Sequence, residues 1–234
     1  MFGRTWHAIS GVLFGGSCFL CRGRAAGRAL CPGCDADLPR APAERCPSCA
    51  LASTGSRVCG RCLAEPPQFD ATSAALAFRF PADVLVHALK YRGEIALAAF
   101  AAELLAACVD AGDRVAALVP VPLSAARLRE RGYNQSMEVA RHLARMRGIR
   151  LAAELCERVR DTAPQMELPL ADRRRNVRGA FRCPAALPEG TIVLLDDVMT
   201  TGATLDEIAG TMKRAGARRV VNWVLARTPP PGDV

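Results

Sequence analysis

The stretch Thr191-Ile-Val-Leu-Leu-Asp-Asp-Val-Met-Thr-Thr-Gly-Ala-Thr204 leaves a chain few ways to fold. It opens on an unbroken apolar run, Ile192 to Leu195, which reads as a strand buried on both faces in a parallel sheet. The run ends in two adjacent carboxylates, Asp196 and Asp197. Leu205, Ile208, Ala209 and Met212 then recur at helical spacing, with Gly216 past the end. The order is strand, acid pair, tight loop, helix. Such a loop aims backbone N–H groups and the positive end of a helix dipole at an anion, and a phosphate suits that place. The threonines add hydroxyl donors, and Gly202 lets the backbone come close to a ligand. Carboxylates repel a phosphate, so the acid pair should face another part of the ligand. Sugar hydroxyls fit, because ionised carboxylates only accept hydrogen bonds; a divalent metal also fits. A ribose carrying a 5-phosphate has both features. A Walker loop needs Gly-Lys-Ser/Thr and a dinucleotide site needs Gly-x-Gly-x-x-Gly, and the chain has neither.

Val193 to Thr204 resembles the phosphoribosyl-pyrophosphate (PRPP) motif of type I phosphoribosyltransferases. The resemblance implies an α/β fold, a parallel sheet flanked by helices. It implies that Asp196 and Asp197 contact the ribose hydroxyls, and that Thr200, Thr201, Gly202, Ala203 and Thr204 wrap the 5-phosphate.

The second constraint is cysteine spacing. Cys18/Cys21, Cys31/Cys34, Cys46/Cys49 and Cys59/Cys62 are four CxxC pairs within 45 residues. Nine residues separate the first two pairs and nine the last two, and a shift of 28 places superposes one half on the other. This is an internal duplication of two four-thiol units. Four thiolates complete a tetrahedral zinc shell with no open position. A disulfide framework would need an oxidising compartment, and redox chemistry would need only one pair. Two structural zinc ions are expected. The duplication suggests one ion for the first two pairs and one for the last two, although a crossed arrangement would use the same cysteines. The segment is too polar to own a core, so metal binding should supply its folding energy. Phe19 is its only aromatic between the first and last cysteine, which suits a bracing or docking role better than base stacking. Cys108, Cys156 and Cys183 stand alone and read as apolar-site residues.

With 234 residues, half of them apolar, the chain suffices for one well-cored domain and a small appendage. The expected division is 1–66 and 70–228, joined by Glu65-Pro-Pro-Gln68. The formal charge of +8 comes almost wholly from arginine, since Lys90 and Lys213 are the only lysines. Arginine binds phosphate in bidentate fashion. The charge fits a polyanionic ligand without choosing between PRPP and nucleic acid. No run approaches about 20 apolar residues, so no membrane insertion is expected and the chain reads as cytoplasmic. Met1 to Gly16 suits a short amphipathic helix better than a signal peptide.

In the second half, Ala74 to Phe80 reads as a strand, Pro81 to Leu89 as a helix, Ala96 to Ala111 as a helix and Ala116 to Val121 as a strand. His87 falls in the apolar pattern of its helix and is expected to be packed. Lys90 at that helix end completes a dipole or reaches a ligand. After the Pro120-Val-Pro122 strand end, Arg127 and Arg131 are four apart and share a helix face, while Arg129 reads as solvated. Asn134 starts a helix to Arg147, Glu154 to Arg160 reads as a strand, and Val220 to Ala226 as the last strand before a Pro-rich tail. Arg160 to Phe181 has little apolar pattern and much charge, and reads as a basic loop that closes over a phosphate site.

With these segments the resemblance covers nearly the whole chain and narrows to the ComF/GntX-like branch of the phosphoribosyltransferase superfamily, with its N-terminal double zinc ribbon. It is carried by Lys90-Tyr-Arg-Gly93, Pro120-Val-Pro122, Arg127-x-x-x-Arg131-Gly-Tyr-Asn-Gln135 and the series Thr162, Gln165, Arg173, Asn176, Phe181. It implies Mg²⁺-assisted transfer of the phosphoribosyl group with release of pyrophosphate, to an unnamed acceptor. Asp196, Asp197 and Arg131 would be catalytic, and Arg127, Arg131 and Lys90 would join the acid pair and the loop in binding PRPP. A second reading is a non-catalytic PRPP- or nucleotide-binding accessory of natural competence, with single-stranded DNA or DNA-uptake proteins as partners. A third is an RNA-binding regulator that keeps the fold.

Overall fold

A computed structural model describes residues 16–109, 115–162, 169 and 172–230. The expected helix before Gly16, Gln165 and the last four residues lie outside them.

In chain order the elements are α1 (Pro32–Ala36) and α2 (Gly60–Ala64) in the cysteine segment, then β1 (Ala71–Ala77), α3 (Ala82–Tyr91), α4 (Leu97–Cys108) and β2 (Val115–Pro120). There follow α5 (Ala125–Arg131), α6 (Gln135–Arg147), β3 (Glu157–Arg158), α7 (Asp172–Val177) and β4 (Phe181–Arg182). The chain continues through β5 (Thr191–Met199), α8 (Ala203–Arg214) and β6 (Arg219–Arg227). The four long strands form one sheet in the order β1-β6-β5-β2, and every pair is parallel. β3 and β4 make a small antiparallel pair outside it.

The apolar run of β5 decides the layering. Val193 and Leu195 point into one core with α3, α4 and α6; Ile192 and Leu194 point into the other with α8. All four are at most 1% exposed. Burying an aliphatic side chain of this size contributes roughly 1.5–3 kcal/mol, so a strand buried on both faces anchors both layers. β2 stops pairing at Pro120, opposite Leu195, so Asp196 to Met199 run on past it. This opens a crevice at the strand C-terminal ends, beside α5 and α6.

The cysteine segment has no core of its own, as its polarity implies. Phe19, Leu30 and Leu38 of the first half pack into the α4 side, while Cys46, Cys49 and Ala50 of the second half pack into the α8 side. The segment joining the halves, together with Pro47 at the start of the second, lies along the free edge of β1. Ala41 N–H donates to Ala75 O (3.0 Å), Ala77 N–H to Pro39 O (2.7 Å) and Thr72 N–H to Pro47 O (3.0 Å). An uncovered edge strand would present a row of unpaired N–H and C=O groups; here the edge is filled, with one ribbon on each side of the sheet.

Three local elements differ from expectation. The Glu154–Arg160 strand shrinks to β3, because its partner β4 offers only two residues. Within the basic Arg160–Phe181 stretch α7 forms, and its last residue, Val177, is buried in the α8-side core. His87 is exposed on α3 and stacks at a tilt on Tyr91, one turn on, with ring centres 5.6 Å apart.

Candidate functional site

β5 delivers Asp196 and Asp197 to the crevice floor with opposite surroundings. Asp197 is 5% exposed. Its Oδ1 meets Lys90 Nζ at 2.8 Å and its Oδ2 accepts from Gln135 Nε2 at 2.5 Å. Lys90 is the last-turn cation of α3, and Gln135 opens α6 behind the Asn134 cap. The cap also ties α6 to the sheet, because Asn134 Nδ2 donates to Val121 O at 3.0 Å. Asp196 is half-buried and takes both its hydrogen bonds on Oδ1, from Ser136 Oγ (3.2 Å) and from Asp197 N–H (2.9 Å). Burial first, and then the negative charge of Asp197, push the Asp196 carboxyl from its ordinary 3.8 up to about 7; Lys90 pulls the other way. Above about 7, where Asp196 ionises, the pair carries two negative charges against one lysine, a setting that favours a cation.

The network runs on into α5. Gln135 Oε1 accepts from Arg131 Nη1 (3.2 Å), and Arg131 Nη2 donates to the Tyr91 hydroxyl (3.3 Å). The Arg131 guanidinium also lies over the Tyr91 ring, 4.7 Å from its centre. Lys90-Tyr91, Arg131 to Gln135 and the acid pair, far apart in sequence, therefore meet. Arg131 Nε and Arg127 Nη2 are buried with no hydrogen-bond partner among the described residues. Buried guanidinium N–H groups are costly to leave unpaired, and a bound anion would satisfy them. Arg129 is exposed.

Between β5 and α8 the loop turns at Gly202, with φ +85°. The left-handed backbone calls for glycine, and a Cβ there would sit 2.7 Å from Met199 Cε, whose methyl would have to move aside. Thr201 Oγ1 accepts from Ala203 N–H (3.3 Å), and Thr200 Oγ1 accepts from Arg173 Nη1 of α7 (3.0 Å). Ala203 and Thr204 begin α8, whose amino-terminal N–H groups open toward the loop.

One residue is unmarked by any motif. Arg158 on β3 lies over the Phe181 ring at 5.4 Å and hydrogen-bonds the Thr162 hydroxyl. Burial and the nearby charge of Arg127 lower its pKa, while Asp161 and Asp196 act against them. A third arginine thus borders the crevice. A two-residue strand offers no pattern from which to foresee it.

The eight cysteines gather as Cys18, Cys21, Cys31, Cys34 and as Cys46, Cys49, Cys59, Cys62, with the sulfurs of each group within 4.8 Å of one another. The uncrossed pairing is the one formed. Burial would raise the Cys18 thiol, but backbone N–H groups of Cys21, Cys31 and Leu20 outweigh it and bring it down to about 6. Burial likewise opposes, and N–H groups of Cys59, Cys49 and Ser48 lower, the Cys46 thiol to about 7. Each cluster therefore holds a thiolate-ready sulfur, and the composition fits two structural zinc ions. Cys156 is buried, and Cys108 and Cys183 are half-buried.

Known proteins match both halves of the chain. Residues 9–63 match the family model for a double zinc ribbon domain. The chain is 37% identical over 222 residues to the DNA utilization protein YhgH of Salmonella typhimurium, covering 91% of this chain and 97% of that one. Competence protein F of Haemophilus influenzae is 31% identical over 222 residues, covering 90% and 96%. The chain belongs to the ComF/YhgH family. Another member, YhgH of Escherichia coli, is 35% identical over the same length, with 91% and 97% covered. A solved structure titled as the allosteric regulatory enzyme of purine biosynthesis aligns with 59% of this chain and 30% of its own, at 16% identity and a TM-score of 0.39. Among the described residues no helix is long and apolar enough to cross a membrane.

Proposed function

We propose that the chain binds PRPP with Mg²⁺ and transfers its phosphoribosyl group to an acceptor, releasing pyrophosphate. The observation that carries this reading is the network that joins the acid pair to Lys90, Gln135 and Arg131, with a buried, unpartnered guanidinium N–H of Arg131 at its end and a second on Arg127. The ribose hydroxyls would donate to Asp196 and Asp197. The 5-phosphate would sit against the loop and the start of α8. Arg127 and Arg131 would face the pyrophosphate, with Arg158 on the same side. Mg²⁺ fits the donor set, since both hydrogen bonds accepted by Asp196 fall on one oxygen; when bound it would neutralise charge on the departing pyrophosphate. In the transfer the C1–O bond to pyrophosphate breaks, its electron pair leaves with pyrophosphate, and a bond from C1 to the acceptor nucleophile forms. Positive charge on the ribose ring would be stabilised by Asp196 and Asp197, and negative charge on the leaving group by the arginines. Two zinc ions would hold the ribbons.

The names of the relatives favour a second reading, in which PRPP is a sensed ligand and the protein handles single-stranded DNA in competence. Calorimetric titration of PRPP with Mg²⁺ into zinc-loaded protein tests the first. Binding that disappears in Asp196→Asn/Asp197→Asn, with pyrophosphate release when purines, pyrimidines or ammonia are supplied, is the expected result. Binding without turnover, together with single-stranded DNA binding by fluorescence anisotropy, moves the conclusion to the second. Absence of PRPP binding in the wild type overturns both uses of the crevice.

A further inference from the structure

Three consecutive carbonyls, from Met199 at the end of β5 and Thr200 and Thr201 of the candidate phosphate loop, are held by two arginines that belong to, or reach into, the second ribbon. Arg227, at the end of β6, is 3% exposed. Its Nε donates to the carbonyl of Cys49 at 2.8 Å, and its Nη1 donates to Met199 O at 2.8 Å, to Thr228 O at 2.9 Å and to Thr200 O. One buried guanidinium therefore joins the backbone of a cluster cysteine to the backbone of the loop. Arg61 lies between Cys59 and Cys62 on α2, and its Nη2 donates to Thr201 O at 2.9 Å. The first ribbon has no such contact among the described residues: its Arg28 and Arg40 turn to Asp35 within the same ribbon.

Peptide geometry gives these contacts a consequence for the loop. In a trans peptide the carbonyl of one residue and the N–H of the next point in opposite directions. Holding Met199, Thr200 and Thr201 carbonyls on the ribbon side turns the N–H groups of Thr200, Thr201 and Gly202 away from it. Successive N–H groups presented together form an anion-binding concavity. Drawing the carbonyls, which would repel a phosphate, onto two guanidinium groups favours the same ligand.

We infer that the second cysteine cluster and the Thr200–Thr204 loop form one binding unit, in which Arg227 and Arg61 are positioning residues that set the loop for a phosphate. The inference rests on the phosphate-binding reading above and goes beyond it: it makes one zinc centre of the two a partner of the ligand site. Linkage is reciprocal, so whatever the ribbon does for the ligand, the ligand does for the ribbon. A phosphate ligand should protect the Cys46/Cys49/Cys59/Cys62 cluster and leave Cys18/Cys21/Cys31/Cys34 unaffected.

The test uses the full zinc-loaded chain and ribose 5-phosphate as the probe. Pulsed alkylation in the presence of a chelator, read by peptide mass spectrometry, follows the two clusters separately. Saturating ribose 5-phosphate is expected to slow labelling of the second cluster roughly fivefold or more, the lower end of ordinary coupling between sites, and to leave the first unchanged. Arg61→Ala, at an exposed position, should weaken ribose 5-phosphate binding several-fold and reduce the protection with zinc content unaltered. Arg227→Lys should do both more strongly. Arg57→Ala, an exposed arginine of the same ribbon without loop contact, is the control and should change neither. Equal labelling of both clusters with and without bound ribose 5-phosphate, and unaltered affinity in Arg61→Ala and Arg227→Lys, overturns the inference while sparing the phosphate site. No binding of ribose 5-phosphate by the wild type overturns the phosphate reading, and the inference with it.

Discussion

The two ribbons share one cysteine pattern and occupy different worlds. The first sits on the α4 side, contributes Phe19, Leu30 and Leu38 to that core, and pairs its own Arg28 and Arg40 with its own Asp35. The second sits on the α8 side; its Arg61 reaches the loop that follows the acid pair, and its Cys49 carbonyl is joined to that loop through Arg227. A duplication copies the metal shell, because the shell depends on local spacing. It does not copy the neighbours, because these depend on which face of the sheet each copy meets. Identical ligand sets can thus hold a core in one place and shape a binding loop in another.

Loss of a ribbon separates these roles most sharply. A structural zinc site of this kind contributes on the order of 10 kcal/mol to the folding of an isolated ribbon. Cys46→Ser should lose one zinc and weaken ribose 5-phosphate binding about tenfold or more. Cys18→Ser should also lose one zinc and much stability, yet keep the affinity of its folded fraction within about threefold. Metal analysis and calorimetry on the two variants check this, and equal losses of affinity would merge the ribbons into one structural role.

Single side chains sharpen the same contrast. Leu30, 1% exposed in the first ribbon, packs into the core. Leu30→Ala should cost about 2–5 kcal/mol in denaturant unfolding and leave ligand affinity unchanged. Gly202→Ala, on the second ribbon's side, should cost about 1–3 kcal/mol through its left-handed backbone, more if Met199 cannot yield, and should also abolish tight phosphate binding.

A smaller effect is pH-dependent. Asp196 holds its proton up to about 7 against an ordinary 3.8. A raised carboxyl stabilises the fold fully below its unfolded value and loses that contribution as the pH rises through its folded value. Stability of the empty protein should therefore fall between these limits, and Asp196→Asn should flatten the fall in urea midpoints. Ligand binding runs the other way, since only the carboxylate accepts from ribose or holds Mg²⁺. Affinity for PRPP with Mg²⁺ should rise about tenfold from pH ~6 to ~8, and Asp196→Asn should remove the rise. The smallest effect belongs to the first ribbon's exposed ion pair. Arg40→Ala should change the unfolding free energy by less than about 1 kcal/mol, which a larger loss in thermal and urea unfolding would refute.

Much of this architecture is legible in the amino-acid sequence. Ile192 to Leu195 announces a strand buried on both faces, Gly202 reads as a close-approach glycine and takes up a left-handed backbone, and a 28-residue repeat pairs the cysteines correctly. These are properties of neighbours along the chain: side-chain period, backbone freedom and ligand spacing. Lys90 and Gln135 lie 107 and 62 residues from the Asp197 they hold, and Arg227 lies 178 from Cys49. No local pattern encodes such meetings. They follow from the order in which four parallel strands are laid side by side, which brings α3, α6 and β5 to one crevice and a ribbon to each side of the β1 edge. The sequence alone determined the chemistry that each segment can offer. The tertiary structure decided which segments meet, because a buried charge or a guanidinium acquires its role only from the partners that burial places around it.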